Sequence, residues 1–217
     1  MEIIDLTYSI HEKMLTFAAP WHPKVMIKQL GRLDVEGRET RQISFGTHTG
    51  TQVDAPLHFI KNGKSIDMIS LDKLVGPVTI VDFSDLGEGA IVTKEMLEHN
   101  QINKKMIFKF GWSDKWNTEK FYSDWPHFSL DAAKYLLEHN IEFLGIDTPS
   151  PDDPNQKLDG GEGDSPIHKL LLADDVVIVE YIANLGHVKD YIGWNIAALP
   201  LKIQGADGSP ARVFIFR

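Results

Sequence analysis

The sequence predicts an α/β protein built around a mixed sheet, and three observations carry that expectation. Nine short runs are rich in β-branched and aromatic residues. Two segments of helical period lie among them. The strands outnumber what a simple doubly wound fold needs, so parallel and antiparallel pairing are expected in one sheet flanked by helices.

In chain order, the strand-like runs are Ile3 to Tyr8, Val25 to Leu30, Thr40 to Phe45, Val78 to Phe83, Met106 to Phe110, Ile141 to Ile146, Val176 to Tyr181, Leu199 to Ile203 and Arg212 to Phe216. The first helical segment, TKEMLEHN, has Thr93 at the N-cap position. The second, SLDAAKYLLEHN, has Ser129 there and sets Leu130, Ala133, Leu136 and Leu137 on one face. Leu-Glu-His-Asn closes both segments, at Leu97–Asn100 and Leu137–Asn140. Asparagine tolerates the left-handed conformation that ends helices. Histidine in a last turn suits the helix dipole. The echo therefore reads as helix-ending chemistry, with a functional pairing of the two histidines as the alternative.

The 217 residues fit one domain spanning 1–217, two small domains being the alternative. With 42% hydrophobic and 24% charged residues, the chain can bury a core and is not disordered. It has no cysteine, which excludes disulfides, thiolate metal sites and a cysteine nucleophile. Any metal must be held by oxygen and nitrogen. A net charge of -9 argues against a nucleic-acid groove. The N-terminus, MEIIDLTYSIHEKM, lacks a basic start followed by an apolar run, and no stretch reaches membrane-spanning length. A cytoplasmic protein without nucleic-acid or membrane partners is expected.

One segment concentrates chemistry: Phe45-Gly-Thr-His-Thr-Gly-Thr-Gln-Val-Asp-Ala-Pro-Leu-His-Phe59. Gly50 permits a sharp turn and Pro56 stiffens the chain after Asp54. Thr47, Thr49 and Thr51 can bond the backbone or orient a ligand's second atom. Two imidazoles and a carboxylate on a rigid turn suit a catalytic divalent metal such as zinc or manganese. A hydrogen-bonded loop is the alternative for His48 and His58, and a turn-forming role for Asp54. His168 precedes an apolar run and also reads as a core-edge histidine. Glu180 interrupts the apolar run 176–182, where a buried carboxylate needs a metal or a basic partner.

HTGTQVDAPLH resembles the signature of the cyclase family, H-x-G-T-H-x-D-x-P-x-H, whose members include bacterial kynurenine formamidases and isatin hydrolases. His48, Gly50, Thr51, Asp54, Pro56 and His58 fall in register; Gln52 does not. Leu144–Ser150, Ile167–Leu172 and Val177–Leu185 are similar to the family's G-x-D-T-P-S, V-H-x-x-L-L and I-V-E-x-L-x-N-L segments. The likeness spans about Asp5 to Leu185 and implies a single domain of swivelling β/β/α architecture, assembled as a homo-oligomer (dimer or tetramer).

The resemblance assigns roles position by position. His48 and Asp54 match a first metal site, and His168 and Glu180 match ligands of a second metal or the wider cluster. Asp54 bridges if two ions bind. His58 matches the histidine that handles the proton. At Gln52 the family normally has a histidine ligand; an amide offers only a neutral oxygen, which favours Mn²⁺ or Mg²⁺ over Zn²⁺. The implied cofactor is one or two divalent ions, Zn or Mn, per subunit. The implied reaction is hydrolysis of a small amide, imide or lactone, as in an arylformamidase of tryptophan catabolism, with His58 as general acid/base. The alternatives are a metal-dependent lyase or cyclase, or a binding protein that lost catalysis with the histidine at position 52. Trp21, in a loop that departs from the family's turn, and Asp147, at a strand end, are expected to contact substrate; packing and turn roles are their alternatives.

Overall fold

The structure, a computed structural model, describes residues 1–161 and 163–217. Near the N-terminus are strands β1 (Ile3–Asp5) and β2 (Met26–Gly31), helix α1 (Leu33–Glu36), and strands β3 (Thr40–Ser44) and β4 (Gln52–Asp54). Helix α2 (Leu71–Leu74), strands β5 (Val75–Pro77), β6 (Thr79–Asp82) and β7 (Ile91–Val92), helix α3 (Lys94–Glu98) and strand β8 (Lys105–Lys109) follow. The remainder comprises β9 (His127–Phe128), α4 (Leu130–Glu138), β10 (Phe143–Ile146), α5 (Pro166–Ala173), β11 (Val177–Glu180), β12 (Asn195–Pro200) and β13 (Gly208–Phe216).

The main sheet runs β5-β12-β13-β4-β11-β10-β8-β6, with β1 added alongside β13. Its two halves obey different pairing rules. β6, β8, β10 and β11 are parallel, and α4 and α5 supply the crossovers that parallel neighbours need. β4, β13, β12 and β5 pair antiparallel, with β4 joining the halves through an antiparallel ladder to β11.

Side chains on a strand alternate between faces, and here both faces are apolar. Met106, Phe108 and Ile178 pack with Leu136 and Leu171 of the helices. Ile107, Val177 and Val179 pack instead with Leu6, Ile196, Val213 and Ile215 of the antiparallel half. The result is a β/β/α layering, as the resemblance implies.

Local details follow from the residues. Ser129 caps α4 by accepting from Ala132 N at 3.1 Å, whereas Thr93 makes no side-chain cap. Asn140 takes the left-handed conformation expected of it, at φ 56°. Asn100 instead ends its helix by donating its side-chain amide to Met96 O. Of the repeated histidines, His139 bonds its own helix end, with Nδ1 on Tyr135 O, and His99 is the C-cap residue of α3. Two expectations need correction. The runs at 25–30 and 40–45 leave the main sheet and pair only with each other as a ribbon whose residues are nearly all exposed. The strand expected over 199–203 lies at Asn195–Pro200, because the chain turns at Gly205 before entering β13. The apolar run after Pro166 is a helix, α5, with proline at its first turn.

Candidate active site

Strand β4 organises the site. Gln52 and Asp54 lie two apart and share a face. Gln52 is directly opposite Glu180 of β11, and Asp54 is opposite Gly208 of β13. All three polar side chains are buried. His48 lies in the turn before β4, which Gly50 makes at φ 63°. His58 ends the 3-10 turn Pro56–His58 just after β4. His168 reaches in from α5. Gly208 permits the close approach of His48: a Cβ there would stand 2.8 Å from His48 Cε1 and 2.9 Å from Val53 O.

Two groups of ligand-type atoms share Asp54. On one flank, His48 Nδ1 is 2.9 Å from Asp54 Oδ1, and the His48 ring stacks on His58 with centroids 3.9 Å apart. On the other, His168 Nε2 is 3.1 Å from Glu180 Oε1 and 3.5 Å from Asp54 Oδ2. Gln52 stands between them. Its Nε2 lies 3.1 Å from Asp54 Oδ1, 3.0 Å from Glu180 Oε2 and 3.0 Å from His48 Nδ1. Asp54 Oδ2 and Gln52 Oε1 are buried and find no hydrogen-bond partner among the described residues.

Carboxylates outside β4 hold the histidines. Asp152 is fully buried and accepts from the backbone of Ile167 and His168. Its Oδ2 also lies 2.6 Å from His168 Nδ1. A carboxylate only accepts, so His168 Nδ1 donates to Asp152 while Nε2 faces Glu180 Oε1 and Asp54 Oδ2. Against the effect of burial, these three carboxylates push the His168 pKa well above its ordinary value. Asp207 Oδ2 lies 2.8 Å from His48 Nε2 and 3.2 Å from His58 Nδ1.

The electrostatics follow from these contacts. Burial alone would lower the pKa of His48, but Asp54 and Asp207 on its two nitrogens push it up to about 10. Hydrogen bonds from His48 and His58 hold Asp207 well below the usual carboxylate range. Burial, then the proximity of Asp54, raises Glu180 to about 7. Burial lowers His58, with the neighbouring His48 adding to the effect against the opposing bond to Asp207. His58 is thus neutral near pH 7 and able to take up a proton.

A cavity of about 410 Å³ opens above these groups, within the range of small-molecule sites. His48, Gln52, His58, His168 and Glu180 line its floor, and Phe17, Trp21, Phe59, Trp125 and Tyr181 supply aromatic wall. Trp21 stands at the rim, 64% exposed. Asp147 needs correction: it does not line the cavity. It is fully buried, and its carboxylate accepts from Phe110 N at 2.8 Å and Trp112 N at 2.9 Å, so it holds the 110–112 backbone. Asp54 sits under the lining rather than in it, with its free oxygen toward His168. Sequence reasoning missed Asp152, Asp207 and His22, whose ring lies 6.2 Å from that of His48. Asp152 in Pro-Asp-Asp-Pro and Asp207 before glycine both read as turn residues; their carboxylates alone were the available signal.

Comparison with known proteins agrees with this geometry. The family model "Putative cyclase" matches residues 4–153. The chain belongs to the cyclase family. A kynurenine formamidase from Bacillus thuringiensis subsp. konkukian (strain 97-27) is 33% identical over 176 residues, covering 80% of this chain and 78% of the relative. Isatin hydrolase A from Labrenzia aggregata, bound to benzyl benzoate, superimposes with a TM-score of 0.87 at 26% identity, covering 99% of this chain and 93% of that one. A predicted metal-dependent hydrolase from Bacillus stearothermophilus gives a TM-score of 0.77 at 28% identity, with 99% and 97% covered. As a member of the cyclase family, this chain is a metal-dependent amide hydrolase acting on C–N bonds other than peptide bonds. No helix among the described residues is long and apolar enough to cross a membrane.

Proposed function

We propose that the chain, as one hydrolase unit over residues 1–217, opens a small aromatic formamide or cyclic imide, with His58 as general acid/base. One observation carries this reading: His168 Nε2, Glu180 Oε1 and the unpartnered Asp54 Oδ2 converge beside His58 on the floor of an aromatic cavity. Ligand atoms bound at about 2.0–2.2 Å to one ion stand roughly 3–3.5 Å apart, and the 3.1 and 3.5 Å separations here fit that spacing. A buried carboxylate oxygen without a partner is costly, and a cation would satisfy it. Asp54, His168 and Glu180 would hold the ion, with His48 and Gln52 on the other flank. When bound, it supplies Lewis acidity that polarises a carbonyl and makes water more acidic.

The protein's own groups handle the proton. Asp207 accepts from His58 Nδ1, which leaves the other ring nitrogen free to take a proton. Water oxygen bonds to the substrate carbonyl carbon, and its proton passes to His58. The C–N bond then breaks, and His58 returns the proton to the leaving nitrogen. The products are a carboxylic acid, which ionises by releasing its proton to water, and an amine from a formamide or an amide from an imide. Asp207, held ionised, stabilises the intervening imidazolium of His58. Trp21 and the other rings of the wall favour an aryl group.

The finer attributes belong to the same proposal. Two carboxylates and one imidazole suit manganese or zinc. Exposed Met26, Leu30 and Ile43 on the β2–β3 ribbon, with Leu33 and Val35 of α1, support a homodimer or larger homo-oligomer. A chain free of cysteine has no need of an oxidising compartment, which supports a cytoplasmic setting. The test is chelation, assay on arylformamides, isatin-type imides and lactones, and restoration with Mn²⁺ or Zn²⁺. Activity should vanish and return; full turnover in verified metal-free protein would refute the proposal.

A further inference from the structure

The two flanks of Asp54 are not equally ready for a cation, and Gln52 makes the difference. Its amide nitrogen carries two hydrogens and no available lone pair. Two carboxylate oxygens, Asp54 Oδ1 at 3.1 Å and Glu180 Oε2 at 3.0 Å, stand ready to accept them. Turning the amide would place Oε1 against both carboxylates with no proton between, so the neighbours fix NH₂ inward. That orientation leaves Oε1 buried without a partner, but two charge-assisted bonds outweigh one orphaned carbonyl.

His48 Nδ1 is no freer. It lies between Gln52 Nε2 at 3.0 Å and Asp54 Oδ1 at 2.9 Å, while its other nitrogen is on Asp207. Both Gln52 hydrogens are on carboxylates and Asp54 Oδ1 only accepts, so the 2.9 Å contact has Nδ1 donating to Asp54. In that arrangement Nδ1 has no lone pair to spare. The amide thus presents its positive end to the atoms that would otherwise face an ion.

The opposite flank is open. Asp54 Oδ2 is buried with no hydrogen-bond partner among the described residues. His168 donates through Nδ1 to Asp152 and aims Nε2 at Glu180 Oε1 and Asp54 Oδ2. One imidazole nitrogen and two carboxylate oxygens converge there with no amide between them, and a cation binding there would displace any proton on Nε2.

We propose that each chain holds one divalent cation, on Asp54 Oδ2, His168 Nε2 and Glu180 Oε1, and that the Gln52 amide takes the place of a second ion on the His48 flank. This rests on the metal-dependent reading above. The experiment is equilibrium dialysis of metal-free, full-length protein against Mn²⁺, with bound metal measured by mass spectrometry. Expected values are about one ion per chain for the native protein and for His48→Ala, about two for Gln52→His, and about none for His168→Ala. His168→Gln and a melting curve with and without Mn²⁺ guard against misfolding: the native protein should gain thermal stability from the metal and His168→Gln should not. Two ions in the native protein, or an ion kept by both His168 variants and lost by His48→Ala, would overturn the assignment. A single ion in Gln52→His would overturn the role given to the amide. These failures leave metal-dependent hydrolysis standing; no ion in the native protein sinks both. The expected stoichiometries with no turnover on any amide sink only the proposed reaction.

Discussion

The two flanks of Asp54 are built from different material. His168 and Glu180 stand on a helix and a central strand, and both are buried. His48, His58 and Asp207 stand on turns, with the Asp207 side chain 35% exposed and that of His58 22% exposed. Binding and proton transfer ask for this contrast. A cation is held best by groups whose positions the core fixes. A proton carrier must face the cavity and exchange with what enters it. The backbone on both sides of the fixed flank is itself unusual: Ser165 and Tyr181, next to α5 and Glu180, adopt φ of 50° and 56°. Non-glycine residues take that conformation at a cost, and it clusters where geometry serves function.

The sharpest way to break the comparison is His58→Ala. If the exposed flank carries the proton and the buried flank the metal, kcat should fall about 10²–10⁴-fold, while bound Mn²⁺ stays at the native value. Steady-state kinetics and metal analysis on the same preparation decide it. Loss of metal in this variant would merge the two flanks into one ligand set.

Asp152→Asn sharpens the other side. Asp152 touches no substrate; it orients His168 through Nδ1 and braces the first turn of α5. Removing such a carboxylate typically costs about 10–100-fold in metal affinity. A competition titration against a chelator should show that loss, and most of kcat should return at saturating Mn²⁺. Unchanged affinity with a lasting drop in kcat would place Asp152 on the side of the reaction rather than the metal.

What could be read beforehand follows the same division. Long apolar runs foretold β8, β10 and β11, because parallel strands buried on both faces read as continuous hydrophobic stretches. β4 escaped that reading. It is only three residues long, Gln-Val-Asp, and its polar residues face the site, so no apolar pattern marks it. The ribbon strands β2 and β3 have suitable composition, yet composition cannot say which strand pairs with which. The motif placed His48, Gln52, Asp54 and His58 together because they are close in sequence. His168 was reached as a ligand through family resemblance, and Glu180 through that and through its place as a carboxylate inside an apolar run. Asp152 and Asp207 join the site only through tertiary contact, His58 and Asp207 being 149 positions apart, and no local signal distinguishes them from turn aspartates.

Asp147 supplies the smallest effect and the cleanest control, since it is buried yet outside the cavity. Its two oxygens take separate backbone amides, Phe110 N and Trp112 N. Asparagine keeps one acceptor and sets an NH₂ against the other amide, which should cost about 1–3 kcal/mol without altering bound Mn²⁺. Burial raises Asp147 to about 6 from its ordinary 3.8. A carboxyl whose folded pKa lies above its unfolded value contributes most stability below the unfolded pKa and loses it as pH rises through the folded one. Native stability from this group therefore declines between about pH 4 and 6, whereas asparagine does not titrate. The gap between native protein and Asp147→Asn should narrow by roughly 1 kcal/mol from pH 5 to pH 7.5, read from denaturant unfolding of the metal-loaded protein at both values. A gap that widens with pH would mean that the ionised carboxylate is favoured by its amide bonds more than burial disfavours it.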